Sequence, residues 1–182
     1  MSFPAFFDTC TLFGAAITDL LLELADLGAF RPLWSAHVLA ELEKAVTEAG
    51  IPAGAIRGRI SAMQSAFPDA DVTGYEDLIG KMTNDSDDRH VVAAAVRANA
   101  EIIVTFNLKH FPEDALRGYD LEAVHPDAFL LDQLDLYPNM TLTAVEDIAA
   151  SYENPPMTTE QFLERLVRAG APRFAARVLA EL

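Results

Sequence analysis

Cationic residues are scarce in this chain: 13 lysines and arginines stand against 28 aspartates and glutamates, for a net charge of −15 at pH 7. Affinity for phosphate backbones ordinarily draws on Lys and Arg, so a groove that holds nucleic acid by basic side chains is not expected. One route stays open, because carboxylates gathered around divalent cations invert the local field and let an acidic protein hold a phosphodiester through the metal. The shortage is uneven, since four arginines and three glutamates in residues 155–182 leave −16 on residues 1–154. Cysteine is nearly absent too. Cys10 alone excludes an internal disulfide and any cluster of cysteine ligands, and with no basic neighbour it reads as a small apolar core residue. No apolar run nears the roughly 20 residues of a membrane span, and MSFPAFFDTC opens without the cationic stretch of a signal peptide. A cytoplasmic protein without membrane association is expected. No H-x-x-x-H pair joins His37, His90, His110 and His125, which read as surface or packing residues.

What the chain does have is apolar content of 51% over 182 residues, enough for one sizeable core. Strand-like and helix-like segments alternate, the pattern of an α/β sheet rather than a bundle. Strands are expected at 3–7, 30–34, within DADVTGY, at 101–106 and at 121–125. The uninterrupted EIIVTF run suits a strand covered on both faces of a parallel sheet. Helices are expected from Thr9 to Gly28, from the Ser35 cap to Gly50, over about 54–66, and after NDSDDRH through Ala98. Further helices follow in PDAFLLDQLDL, from Asn139 to Ser151, and from Thr158 to the terminus with a break at Gly170 and Pro172. The chain divides into residues 1–135 and a helical extension, 136–182.

Topology sorts the acids. In a parallel sheet the loops leaving the carboxyl ends of the strands share one edge, and the following helices begin there. Asp8 follows the first strand, Asn107 follows EIIVTF, and Asp88 opens the helix leading into that strand, so all three fall on one edge. Glu41 lies inside a helix starting at the same edge, beside Val38 and Ala45, and the wheel places Glu43 and Glu48 only slightly further out. Oxygen ligands of this kind suit Mg²⁺ or Mn²⁺, not a Cys/His zinc site. Asp85, Asp87 and Asp88 also fit a plainer role as caps and first-turn acids, and there the helix dipole should lower their pKa values. The run lacks the glycine and distal Glu of an EF-hand loop. Asp8 also fits a turn or cap residue, and a haloacid-dehalogenase-like reading would want Asp where Cys10 stands. Asn107 alone fits a strand-ending turn.

Taken in order and spacing, FFDTCTLF, VLAELEKAV, DDRHVVAAAV and IIVTFNLKHFP resemble the PIN-domain family, in particular the ribonuclease toxins of VapBC toxin–antitoxin systems. The resemblance covers roughly residues 3–130. It implies a PIN-like three-layer α/β/α fold with a central mainly parallel sheet, an acidic pocket for Mg²⁺ or Mn²⁺, and cleavage of single-stranded RNA. The family's acids fall on Asp8, Glu41 and Asp88, and its fourth position on Asn107, where Asp is common; one subgroup carries the T-F-N-x-x-x-F-P pattern found here. Asp85 or Asp87 would then supply the missing charge in an outer position, Thr9 and Thr105 would donate hydrogen bonds within the pocket, and Arg89 and Lys109 are candidate phosphate contacts. The partners implied are RNA, a cognate antitoxin protein and a second copy of the chain. Residues 136–182 look like the helical appendage of longer toxins of this kind. Two other readings stay open: a PIN-like protein-binding module with a degenerate site, and an RNA-processing nuclease with no antitoxin.

Overall fold

The short apolar runs pair into one sheet. In the computed structural model, which describes residues 2–182, strands β1 (Pro4–Phe7), β2 (Arg31–Ser35), β3 (Asp71–Val72), β4 (Ile102–Val104) and β5 (Glu122–Val124) lie in the order β3-β2-β1-β4-β5. The pairings are parallel, with Phe6 level with Leu33 on one side and Ile103 on the other. The sheet expected to be mainly parallel is therefore parallel throughout among the described residues.

Parallel neighbours require crossovers, and these are helical. Helices α1 (Thr9–Phe13) and α2 (Ala15–Asp26) join β1 to β2, α3 (Ala36–Glu48) and α4 (Ala53–Ala66) join β2 to β3, and α5 (Glu76–Ile79) and α6 (Arg89–Arg97) join β3 to β4. The short α7 (Glu113–Leu116) lies between β4 and β5. The single helix expected over Thr9–Gly28 is divided at Gly14, whose extended backbone ends α1 and opens α2. The buried Thr18 hydroxyl stabilises this break by donating to the carbonyls of Leu12 and Gly14, at 3.1 and 2.9 Å. Strand β4 is shorter than the 101–106 run. Thr105 N still donates to the Val124 carbonyl at 3.0 Å, but the chain then turns toward Asp8.

Successive strand side chains point to opposite faces. Phe6 and Phe7 are both at most 1% exposed, so helices cover the sheet on both sides in a three-layer α/β/α arrangement. On the Phe7 side, Phe30 lies 5.7 Å away and Phe129 lies 6.1 Å away, ring centre to ring centre. Phe129 belongs to α8 (Pro126–Leu136), which packs against α9 (Pro138–Ser151). A capping box of Thr158 and Gln161 opens α10 (Thr159–Arg168), and α11 (Pro172–Glu181) packs back on α8 and α10. The buried Asp127 carboxylate of α8 accepts from the backbone N–H groups of Arg173 and Phe174, at 3.2 and 2.8 Å, and so caps α11 from another helix. The corner between α10 and α11 is Gly170, with φ +103. A Cβ there would stand 2.6 Å from the Phe106 ring, so the C-terminal helices rest on the chain leaving β4.

Candidate active site

Strand order reverses direction at β1: β2 and β3 lie to one side, β4 and β5 to the other. A crevice opens at such a switch point, outside the carboxyl ends of the strands. Asp8 leaves β1 there and is 3% exposed. One of its oxygens accepts from Thr9 N at 2.7 Å, which caps α1; the other accepts from Thr105 Oγ1 at 2.8 Å and from Cys10 Sγ at 3.2 Å. Asp8 is thus a cap whose carboxylate also lines the candidate site. A carboxylate offers about four acceptor positions, so three donors leave one direction free. Thr105 Oγ1 in turn accepts from Asn107 N at 3.0 Å, fastening the loop after β4 to the end of β1.

Glu41 enters from α3, whose start is fixed by Ser35 Oγ accepting from Val38 N at 3.2 Å. Thr9 Oγ1 donates to Glu41 Oε2 at 2.6 Å. The other oxygen, Oε1, faces two imidazoles, with His90 Nε2 at 3.2 Å and His37 Nε2 at 3.6 Å. Burial pushes the Glu41 carboxyl up, but the contacts with His90 and Thr9 outweigh it and hold Glu41 below the usual carboxylate range. Among the other candidates on this helix, Glu43 turns away to Arg57 at 2.6 Å, and Glu48 stays on the cavity wall.

Asp88 closes a short 3₁₀ turn, Ser86–Asp88, that runs into α6. Its Oδ2 lies 2.6 Å from His110 Nδ1. The expectation of a lowered Asp88 pKa is corrected here: burial raises it, and the charges of Asp8 and Asp85 add to the rise, against the opposing bond from His110. The dipole argument fails because like charges and desolvation act at closer range than the first turn of α6. Asp85 is exposed and caps the 3₁₀ turn by accepting from Asp87 N at 3.1 Å. Asp87 is exposed beside it.

Asp8, Thr9, Cys10, Glu41, Asp88 and Asn107 line one cavity of about 510 Å³. Phe13, Lys44, Ala45 and Glu48 complete its wall. A larger cavity of about 1000 Å³ lies along β5 among Leu108, Phe111, Leu116 and Leu121. The smaller one is the candidate site, because the acids converge on it from separate elements. The two proposed phosphate contacts are not on its wall: Arg89 turns its Nε onto the Asn84 carbonyl at 3.3 Å, and Lys109 is exposed on the next turn. Lys44 is the cation that faces the cavity. Cys10 is not a plain core residue; its thiol is pushed up to about 11 by burial and by the Asp8 charge, and so stays protonated as a donor to Asp8.

The histidines were the least legible part. His37 and His90 stack, rings 3.7 Å apart, against Glu41, and His110 holds Asp88. Only the i, i+4 spacing of His37 and Glu41 along α3 signals this in the sequence. His125 caps α8 by accepting from Asp127 N at 3.2 Å and packs on Phe106.

Residues 4–109 match the family model described as PIN domain, and residues 126–180 match that described as VapC50 C-terminal domain. The chain is 53% identical over 104 residues to a protein of Mycobacterium tuberculosis (strain ATCC 25618 / H37Rv) named "Putative ribonuclease VapC50", which covers 57% of this chain and 61% of that protein. The match therefore spans less than two thirds of the curated relative. No solved structure matches the chain.

Proposed function

This chain belongs to the PIN-domain family, and from that premise we propose that it is a divalent-metal-dependent endoribonuclease cleaving single-stranded RNA, the toxin of a toxin–antitoxin pair. The observation that carries the reading is the convergence of Asp8, Glu41, Asp88 and Asn107, four positions spread over a hundred residues, on one cavity at the switch point. The donor set fits Mg²⁺ or Mn²⁺, being all carboxylate and amide oxygen. Asp8 and Asp88 also face each other closely enough for the charge of one to raise the pKa of the other, a repulsion that a cation relieves. Asp8, Glu41 and Asp88 would hold the ion, with the Asn107 amide beside them. When bound, such an ion polarises the scissile phosphate and lowers the pKa of a coordinated water.

The chain's own residues do the positioning. Thr105 and Thr9 fix both Asp8 oxygens, Thr9 fixes Glu41, and His110 fixes Asp88. Lys44, rather than Arg89 or Lys109, is our candidate for holding a phosphate at the mouth. Phe13, on the cavity wall and 44% exposed, offers a face on which an unpaired base can stack, which favours a single strand over a duplex.

Residues 1–135 are assigned as the nuclease unit and 136–182 as its helical extension. The protein partners in this reading are a second copy of the chain and an antitoxin with a basic segment that matches the acidic cavity. The setting is the cytoplasm; no helix among the described residues is long and apolar enough to cross a membrane.

The test is RNA cleavage with end-mapping in Mn²⁺, comparing wild type with Asp88→Asn. Loss of a ligand should lower the rate by about two orders of magnitude or more, and EDTA should abolish it. Unchanged cleavage and growth inhibition in Asp8→Asn and Asp88→Asn would sink the reading.

A further inference from the structure

We propose that His37, His90 and Glu41 form a second metal site, for a transition ion of the Zn²⁺ or Co²⁺ class, on the flank of the acidic cavity. The proposal goes beyond the nuclease reading; it shares Glu41 with that reading but does not rest on it, because it uses neither Asp8, Asp88 nor Asn107.

His90 is the telling residue. It is 3% exposed, and neither ring nitrogen has an aligned hydrogen-bond partner among the described residues. Buried polar groups are ordinarily bonded, so an orphaned imidazole asks for a ligand. Its Nε2 is aimed at Glu41 Oε1, 3.2 Å away but off the line of a hydrogen bond. His37 Nε2 reaches the same oxygen at 3.6 Å from one turn earlier on α3. The three ligand atoms lie within 4.8 Å of one another. Two ligands about 2.0–2.1 Å from a tetrahedral ion stand roughly 3.3–3.4 Å apart, and the two nitrogen-to-oxygen separations bracket that spacing. The rings stack at an interplanar angle of 15°, which leaves their in-plane lone pairs parallel, so binding the ion requires the His37 ring, half of whose side chain is exposed, to rotate out of the stack.

The chemistry of the donors selects the ion. Imidazole suits Zn²⁺, Co²⁺ and Ni²⁺, whereas Mg²⁺ takes hard oxygen and retains its waters. Two imidazoles and a carboxylate leave a fourth position for water. Glu41 Oε2 accepts from Thr9 at 2.6 Å on the side of the acidic cavity, so Oε1 is the oxygen turned toward this ion. Glu41 then stands between two sites, one oxygen toward each.

The full chain is titrated with Co²⁺, reading the visible d–d absorption of a four-coordinate ion with nitrogen ligands, and with Zn²⁺ by calorimetry. Wild type should give the band at one equivalent and keep it under a large excess of Mg²⁺. His37→Ala, at an exposed position that should leave the fold intact by circular dichroism, and His90→Asn should each weaken binding at least about tenfold. The double variant Asp8→Asn, Asp88→Asn should retain the band while losing any Mn²⁺-dependent RNA cleavage, which separates this site from the nuclease reading. A wild type without the band, a band that survives His37→Ala undiminished, or one that disappears in the Asp8, Asp88 double variant overturns the proposal.

Discussion

Asp8 meets two demands with one side chain, opening α1 with one oxygen and presenting the other to Thr105 and Cys10. The cap-or-site alternatives open in the sequence are therefore not exclusive at this residue. Thr105 is the support that makes this possible, being fully buried and bonded both to Asp8 and to the Asn107 N–H. Thr105→Val keeps the shape and removes both bonds. It should cost about 1–3 kcal/mol of stability by leaving buried partners unsatisfied, and should slow RNA cleavage by roughly 10–100-fold; urea unfolding and initial rates check the two. Asp88 behaves oppositely. Its folded pKa is raised, so the folded protein binds that proton more tightly than the unfolded chain does; above the raised value the ionised form costs stability, which returns as pH falls through the raised value toward the ordinary carboxylate one. Asp88→Asn should thus melt higher at neutral pH while losing cleavage. A gain of about 1 kcal/mol corresponds to roughly 2–4 °C for a chain of this size, and the difference should shrink as pH is lowered in a calorimetric scan. A lower melting temperature for Asp88→Asn would show that its bond to His110 outweighs the repulsion. Asp8, Asp88 and Asn107 were legible because strand ends fix where such residues stand. His90 and His110 were not, since their partners lie tens of residues away and only tertiary packing brings them in.

The elements were readable wherever local chemistry decides them, as with the Ser35 cap of α3, the Gly28 and Gly50 terminations at positive φ, and the Thr158 capping box of α10. They were misread where a distant group intervenes. The Gly14 break depends on the buried Thr18 hydroxyl, and the shortening of β4 on the turn of Thr105 toward Asp8. Asp127 is the clearest case of an element governed from outside. In sequence it is an ordinary first-turn acid of α8, yet its carboxylate satisfies two N–H groups at the start of α11. Asp127→Ala should destabilise the chain by about 1–2 kcal/mol, the range for loss of a helix cap. Hydrogen exchange should rise first in Phe174–Val178, well before the β1 and β4 amides. Equal loss of protection everywhere would mean that α11 does not open separately. The α10–α11 corner bears on the site as well, because Gly170 is in van der Waals reach of Phe106, between Thr105 and Asn107. The C-terminal helices thereby buttress the loop that carries Asn107, a link no local pattern in either segment announces.

At the scale of the whole molecule, the alternation of strands and helices and the uninterrupted apolar run of EIIVTF were enough to anticipate a parallel sheet covered on both faces. The layering of the C-terminal helices was less accessible, since amphipathic helices reveal that they pack but not against what. Charge is the property that joins fold to function here. A chain with net charge −15 repels an RNA backbone at long range, and among the residues lining the cavity only Lys44 is a cation, set against Asp8, Glu41, Glu48 and Asp88. RNA binding, and not only cleavage, should therefore depend on divalent ions. Fluorescence anisotropy with a short labelled single strand should show little binding in EDTA. In Ca²⁺, an oxygen-seeking ion that can occupy the carboxylates, binding should tighten at least about tenfold, the equivalent of 1.4 kcal/mol. In this reading, raising monovalent salt acts on two contributions of opposite sign: it screens the repulsion that would oppose binding without metal, and it weakens the phosphate contact assigned to Lys44 with metal present. The Ca²⁺ advantage should accordingly narrow as salt increases. Lys44→Ala should lower affinity in Ca²⁺ and leave the EDTA baseline unchanged. Tight binding in EDTA would instead place the RNA on another surface, the arginine-bearing segment 155–182 being the least acidic part of the chain.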